Sequence, residues 1–370
     1  MSRSFFLLLA LFLSVAGLHA DPTNAASSAP PPSLIDALRA ANPDYQYSPS
    51  TLSVNEKAGI IKIAGGKTFS NIDALASVNF CTDLTIHGCN VASLEPIRKF
   101  KLTHFDLGDC PVGDLSPIQG MPITDLIVYN TKVKSLDPLR GMPLQTLHTN
   151  AISPSFYDVV GSLPTLENLE FAYCHMESAR LKKIKFNLKS LGLIHVIFDD
   201  APKADLDDFG PQPLTSLQLA SVDLADWTTL SKYTTLKSLT ITDTSFDNIQ
   251  PLIALPLETL IIKNKTPGPL VLTGIEKLRL RELTLNNCLV DLKPVANSPI
   301  EQITFTPETV TAGIESLRDC PNLTSVIVYY TDASGKQAIK HYADAKPADA
   351  LLQDIASGTI KTPSPISPPR

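Results

Sequence analysis

Histidine and carboxylate side chains recur at close spacing in the first half of the chain, and such groups build metal sites and acid–base centres. They are His87, His104, Asp106, His148 and Glu170. The segments that carry them predict an open sheet with no pocket from which water would be excluded, so we expect neither a metal site nor a cofactor. The remaining interpretations are a solvated polar face without a partner and a recognition surface.

Sequence motifs of enzymes are absent from the chain. It has no Gly-x-Ser-x-Gly elbow, no His-Glu-x-x-His motif, no phosphate-binding loop and no dinucleotide fingerprint. The formal net charge is -6, and we find no basic clusters of the kind that bind nucleic acid or an anionic membrane surface. We therefore expect a protein that is not an enzyme and has no nucleic-acid partner.

These polar residues lie within an internal sequence repeat, which determines their positions in the fold. Leu102 to Leu115 aligns with Ile123 to Leu136 at a constant offset of 21 residues, and both segments are followed by Gly-Met-Pro. The mean period is about 22 residues, within the range of leucine-rich repeats. This predicts an α/β repeat fold, a curved right-handed leucine-rich-repeat solenoid with a parallel β-sheet on its concave face and 3₁₀ turns or short helices on its convex face. The thirteen Leu-x-x-Leu-x-Leu frames, some of them degenerate, start at Ala58, Cys81, Leu102, Ile123, Leu144, Leu166, Leu188, Leu214, Leu236, Leu257, Leu280, Ile300 and Leu323.

Side chains alternate along a strand, so residues four and six of each frame should point into the core, and residues three, five and seven should point outward. Leu126 and Leu217 are accordingly expected to be fully buried. On adjacent strands the outward side collects aromatic and hydrogen-bonding groups, whereas the strands at Leu214 and Leu236 present mostly small residues. We expect a macromolecular partner to bind at His87, His104, Asp106, Tyr129, His148, Asn150, Glu170 and Tyr173.

Six cysteines are present, and four of them share the ninth frame position: Cys89, Cys110, Cys174 and Cys288. Free thiols packed as small apolar groups are the preferred interpretation. The alternative is one disulfide between Cys89 and Cys110, whose coils adjoin. Strands about 4.8 Å apart permit the required Cα separation but leave the two Cβ vectors nearly parallel.

The two ends of the chain have their own signatures. Arg3, an apolar run and small residues before a cut after Ala20 form a secretory signal, with an uncleaved anchor as the alternative. We expect a secreted or periplasmic protein without stable membrane insertion. The predicted division is a signal peptide at 1–20, a disordered linker at 21–33, an N-terminal cap at 34–57, a solenoid of about 13 coils at 58–332, a C-terminal cap helix at 333–361 and a disordered tail at 362–370.

The repeat resembles bacterial leucine-rich repeats of internalin type, in particular those with a Leu-x-Pro-Leu and Gly-Met-Pro-Leu signature. Here the signature stands at Leu136–Leu139 with Gly141–Leu144. It is also similar to the repeat tails of bacterial serine/threonine kinases, which often follow a cap resembling Ala41–Tyr45. Kinase motifs are absent, so the resemblance does not imply kinase activity. It covers about Ser33 to Asp332 and implies the solenoid fold and a binding surface without a common ligand.

The expected function is that of an exported, non-catalytic module that binds a protein or another macromolecule through its concave face. The alternative is a structural or scaffolding component of the cell envelope. The composition and the repeat are equally compatible with that function.

Overall fold

One large sheet runs through the chain in the computed structural model, which describes residues 32–150, 155–343 and 346–363. The predicted signal peptide at 1–20, and most of the predicted linker at 21–33 and tail at 362–370, lie outside the described residues. Within the described ranges, each parallel strand of the repeat begins two residues after a frame start. The predicted curved leucine-rich-repeat solenoid with a parallel sheet is confirmed.

The strands are short because each coil crosses the sheet once and then returns. In chain order they are β1 (Leu52–Asn55), β2 (Ile60–Gly66), β3 (Asp83–Cys89), β4 (His104–Gly108), β5 (Asp125–Tyr129), β6 (Thr146–Thr149), β7 (Asn168–Ala172), β8 (His175–Met176), β9 (Ser190–Ile194), β10 (Ile197–Phe198), β11 (Ser216–Ala220), β12 (Ser238–Thr242), β13 (Thr259–Leu270), β14 (Glu282–Asp291), β15 (Gln302–Phe305), β16 (Val310–Ala312), β17 (Ser325–Thr331) and β18 (Gln337–Tyr342). Strands β8 and β10 form a separate two-stranded sheet, and β16 pairs with β14.

Short helices occupy the returns, as predicted, because about ten residues are too few for a long helix and two turns. The α-helices are α1 (Pro32–Ala41), α2 (Phe156–Gly161), α3 (Ser178–Leu181) and α4 (Pro347–Ala356). The 3₁₀ helices span Asp73–Ser77, Glu95–Ile97, Ser116–Ile118, Asp137–Leu139, Leu206–Phe209, Trp227–Lys232, Gln250–Leu252, Ile275–Lys277, Lys293–Val295, Pro307–Thr309 and Ile314–Asp319. A proline stands in the first turn of several, where its fixed φ favours the helical conformation.

The core is a continuous stack of the inward residues of successive coils. Parallel pairing puts Leu126 of β5 between Phe105 of β4 and Leu147 of β6, and all three are 0 % exposed. Leu217 of β11 is 1 % exposed. The predicted burial of Leu126 and Leu217 is therefore confirmed.

The eighth residue of many frames has a left-handed backbone, which turns the chain out of the strand and into the corner. Asn, Asp and Gly tolerate this conformation with little strain. The residues with positive φ at this position are Gly88, Asp109, Asn130, Tyr173, His195, Ser221, Asp243 and Asn287. Behind the turn, the four cysteines at the ninth position are buried.

Both ends of the parallel sheet close with an antiparallel strand. At the N-terminal end β1 pairs with β2, and at the C-terminal end β18 pairs with β17, against which α4 also packs. The sequence predicts a cap at 34–57 and a cap helix at 333–361, but it does not predict either strand. In β18 exposed and half-buried residues alternate up to Tyr342, so no apolar run marks it as a strand.

Truncation of an inward leucine should destabilise the solenoid because the cavity removes contacts with both neighbouring coils. We expect Leu126→Ala and Leu217→Ala each to cost about 2–5 kcal/mol. Gln218→Ala, at an outward position beside Leu217, should change stability by less than about 0.5 kcal/mol. Urea denaturation followed by circular dichroism measures all three. A wild-type midpoint in both leucine variants would contradict the assigned frame.

Candidate binding site

The outward residues of β3 to β7 form a patch of acidic, imidazole and aromatic groups on the concave side of the sheet. We call it the concave patch and define it by Asp83, His87, His104, Asp106, Asp125, Tyr129, His148 and Glu170. Pairing in register aligns its members across the strands. Asp83 lies opposite His104, which lies opposite Asp125, and His148 lies opposite Glu170.

His87 and Tyr129 meet across an intervening strand. The Tyr129 hydroxyl lies 3.0 Å from His87 Nδ1, although β4 separates the strands that carry the two residues. Gly108 of β4 makes this possible, since a Cβ there would lie 2.6 Å from both His87 Nδ1 and Tyr129 Cζ. The two rings therefore cover the glycine, and a larger residue would separate them.

Asp109, the left-handed residue after β4, completes this group. Its Oδ2 lies 3.1 Å from His87 Nε2. When Nε2–H donates to Asp109, Nδ1 is left to accept from the Tyr129 hydroxyl, so one tautomer satisfies both contacts. The hydrogen bond to Asp109 raises the pKa of His87, opposed by burial and supported by the charge of Asp106. His87 in turn lowers the pKa of Asp109.

Asp106 lies among the histidines. Burial raises its pKa, while the charges of His87, His104 and His148 act to lower it. Its Oδ1 is shielded from water and has no hydrogen-bond partner among the described residues, and the same holds for Oδ1 of Asp83. The burial of these two oxygens is therefore not offset by a hydrogen bond.

Glu170 forms the far side of the patch. Its side chain lies against Gly192 of β9, where a Cβ would be 2.8 Å from Glu170 Cγ. His148 Nδ1 is 3.6 Å from Glu170 Oε1. Burial raises the pKa of Glu170, and the charge of His148 acts to lower it.

Two more of the expected residues lie beside the concave patch, just after their strands. Asn150 follows β6 and accepts a hydrogen bond from the Asn130 backbone N–H at 3.2 Å. Tyr173 follows β7 with a left-handed backbone, is 47 % exposed, and stacks on His195 with the ring centroids 4.7 Å apart. Tyr173 is the eighth residue of its frame, and not an outward strand residue, so it belongs to the edge of the sheet.

Asp83, Asp109 and Asp125 of this region, and His195 beside Tyr173, were not predicted from the sequence. The first and third occupy outward frame positions and could have been found from the frame alone. Asp109 could have been found from the recurrence of Gly, Asp and Asn at the eighth position, which favours a left-handed turn.

The cysteines of the described residues are buried and form no disulfide. Cys89 Sγ donates to the His87 carbonyl at 3.3 Å, and Cys110 Sγ donates to the Ile86 carbonyl at 3.6 Å. Interaction with the Cys89 thiol lowers the pKa of Cys110, opposed by burial. The alternative of a disulfide between Cys89 and Cys110 is not realised in this structure.

In the described ranges, no three His, Cys, Asp or Glu side chains are grouped so that they could hold a metal ion. None of the helices in the same residues has the length and hydrophobicity to span a bilayer.

The pair of His87 and Asp109 should make stability depend on pH. The raised pKa of His87 adds stability that is complete below the unfolded value of about 6.5 and is lost as pH rises through the folded value. The lowered pKa of Asp109 adds stability above about 3.9 that is lost as pH falls through its folded value. We therefore expect His87→Gln to cost about 0.5–1 kcal/mol at pH 5.5 and less at pH 8.5.

Urea denaturation at both pH values measures this difference. His175→Gln is the matched control, because His175 also contacts a carboxylate, that of Asp199, but the pair is exposed and screened by water. An equal loss for His87→Gln at the two pH values would show that the ion pair does not stabilise the fold.

No cysteine should be needed for folding, because each thiol is packed and none closes a loop. We expect mass spectrometry of the non-reduced protein to find no Cys89–Cys110 link, and reductant to leave the melting temperature unchanged. A link whose reduction lowers the melting temperature by several degrees would contradict the packed-thiol interpretation.

Comparison with known proteins yields structural likeness only. No protein-family model matches the chain, and no curated protein matches it. Among solved structures, the chain is similar to the internalin InlF of Listeria monocytogenes, with 17% identity, a TM-score of 0.49, and coverage of 82% of this chain and 92% of that one. It is also similar to internalin C2 of Listeria monocytogenes, with 17% identity, a TM-score of 0.24, and coverage of 74% and 92%. At these values neither likeness carries an argument about function, and the leucine-rich-repeat assignment rests on the repeat and the sheet described above.

Proposed function

We propose that this protein is an exported, non-catalytic binding module whose concave patch contacts a macromolecular partner. The observation that carries the proposal is the uneven distribution of charged and aromatic side chains along one sheet. Strands β3 to β7 present carboxylates, imidazoles and Tyr129 outward, whereas the outward residues of β9, β11 and β12 are uncharged and mostly small.

Physical features of the patch support recognition. Its side chains stand on paired strands and are partly buried against each other, so they lose little conformational entropy on contact. Aromatic and hydrogen-bonding groups held in this way are typical of residues that dominate binding energy. The non-catalytic part of the proposal is supported by the openness of the sheet, which leaves the reacting groups of any substrate in water.

A pull-down from native envelope fractions or culture fluid tests the proposal. The patch variant is Tyr129→Ala with His148→Ala, and the control variant is Gln218→Ala with Thr240→Ala on the same face of β11 and β12. We expect the wild type and the control to recover the same partner, and the patch variant to recover about tenfold less or lower.

Circular dichroism must show that all three proteins are folded. Equal recovery of every partner by the wild type and the patch variant would place the site elsewhere on the solenoid. A wild type that stays with insoluble envelope material and recovers no separate partner would favour the scaffolding alternative.

A further inference from the structure

A groove lies on the convex side of the solenoid, between the returns of two adjacent coils. Helix α2, in the coil that starts at Leu144, forms one wall, and α3 with the residues after it, in the coil that starts at Leu166, forms the other. The groove has a volume of about 590 Å³, within the range of about 300–1,000 Å³ that is usual for small-molecule sites. Its size therefore suits one small ligand, and no residue of the concave patch lines it.

The side chains that line the groove give it a positive charge. Arg180, Lys183 and Lys185 are cationic, and Asp158 is the one carboxylate among the lining residues. Three positive charges and one negative charge leave a formal charge of +2, in a chain whose net charge is -6. The groove is therefore a local reversal of the overall charge.

Arg180 is held in place before any ligand arrives. Its Nε donates to Glu177 Oε2 at 3.0 Å, and its guanidinium carbon lies 5.4 Å from the centroid of the Tyr157 ring. The Tyr157 hydroxyl in turn accepts a hydrogen bond from the Glu177 backbone N–H at 2.7 Å. These contacts offset part of the charge of Arg180, but they also reduce the conformational entropy that it would lose on binding.

The two lysines supply the charge that the protein itself does not pair. Lys183 and Lys185 are exposed, and neither forms an ion pair within the described part of the chain. Two other lysines of the same run are paired: Lys182 Nζ lies 3.0 Å from Asp208 Oδ1, and Lys189 Nζ lies 2.8 Å from Glu167 Oε1. The ammonium groups beside the groove can therefore take an external anion without breaking an internal pair.

We propose that this groove binds the phosphate group of a small ligand, with Arg180, Lys183 and Lys185 as donors to the phosphate and with Tyr157 and Ile184 against the rest of the ligand. The site is separate from the concave patch and does not depend on the function proposed for that patch.

The charges favour a phosphate over a carboxylate. A phosphate monoester carries about -1.5 to -2 at neutral pH and has three strongly accepting oxygens, which matches three cationic donors. A carboxylate has one negative charge and two oxygens, so it would leave one of the cations without a partner.

A long polyanion fits the surroundings of the groove poorly. The next return along the convex side packs against α3 and carries Asp205 and Asp207. Nucleic acid binds through many phosphates at once, so the strand that leaves the groove would meet these carboxylates. The cations therefore suit one phosphate group and not a chain of them.

Isothermal titration calorimetry of the purified protein at low salt tests the site, with glycerol 3-phosphate as the probe and glycerol and acetate as control probes. We expect saturable binding of glycerol 3-phosphate alone. Lys183→Gln with Lys185→Gln should weaken this binding about tenfold or more, because two charge-assisted contacts are lost. Lys189→Gln with Lys237→Gln removes the same charge from exposed, paired lysines and should change the affinity by less than about twofold.

Gly161, the last residue of α2, allows a second test that leaves the lysines intact. A Cβ there would lie 3.7 Å from Ile184 Cγ2, an ordinary contact, and its φ is outside the left-handed region. Gly161→Glu adds a negative charge at the groove, and Gly161→Gln adds a neutral side chain of the same size. The Glu variant should bind glycerol 3-phosphate about tenfold more weakly than the Gln variant, with circular dichroism showing that both are folded.

Co-sedimentation with vesicles that contain phosphatidic acid distinguishes two sources of the phosphate. Binding of glycerol 3-phosphate without binding of vesicles assigns a free ester. Binding of both probes that requires Lys183 and Lys185 assigns a lipid head group.

The proposal is overturned by any of four results: no saturable binding of glycerol 3-phosphate, acetate binding of equal affinity, equal loss in the two lysine variants, or equal affinity of Gly161→Glu and Gly161→Gln. The variant Tyr129→Ala with His148→Ala should bind glycerol 3-phosphate as the wild type does. Failure at the groove and failure at the concave patch are therefore distinguishable.

Discussion

A coil of about 22 residues cannot bury its own apolar side, so every coil depends on the pairing of its strand with the strands before and after it. The register aligns the frame positions of successive coils, with shifts only after Lys263 in β13 and after Val290 in β14 among the described strands, and it places Leu126 between Phe105 and Leu147. Burying one such leucine contributes about 2–3 kcal/mol. The same register also aligns the outward residues. The stacking that forms the core therefore also determines which side chains are neighbours on the concave face.

The frame was sufficient to predict one strand in each coil and its buried positions, since a period of two along a strand and a period of about 22 along the chain are both visible in the sequence. It could not predict which outward side chains contact each other. His87 reaches Tyr129 only because Gly108 lacks a Cβ, and Glu170 lies over Gly192 for the same reason. These contacts join different coils, so no local pattern reports them. Tyr173 is the eighth residue of its frame, so the frame itself assigns it to the left-handed corner and not to an outward strand position.

Charged side chains have different surroundings at two places on the solenoid. At the second frame position, just before the strands, opposite charges on neighbouring coils are paired in water: Lys189 with Glu167 at 2.8 Å, and Arg281 with Glu301 at 2.8 Å. On the concave side, Asp106 is partly buried and its Oδ1 is unpaired. Exposed pairs contribute little to stability, but a desolvated carboxylate is costly. Stability alone would not favour an unpaired carboxylate oxygen on one face of a fold that pairs its charges elsewhere. Such departures from the most stable arrangement are common at functional surfaces.

The antiparallel strands at the two ends bear on how copies of the protein behave at high concentration. A bare parallel edge would offer the same row of N–H and C=O groups that the next coil accepts, and molecules could then join head to tail into an open fibre. With β1 and β18 at its two ends, the sheet has closing strands and not repeat strands at its outer edges. β18 also carries Lys340, a charged residue of the type that discourages edge-to-edge association. A chain truncated before β18 would instead leave the edge of β17 as a template for polymerisation.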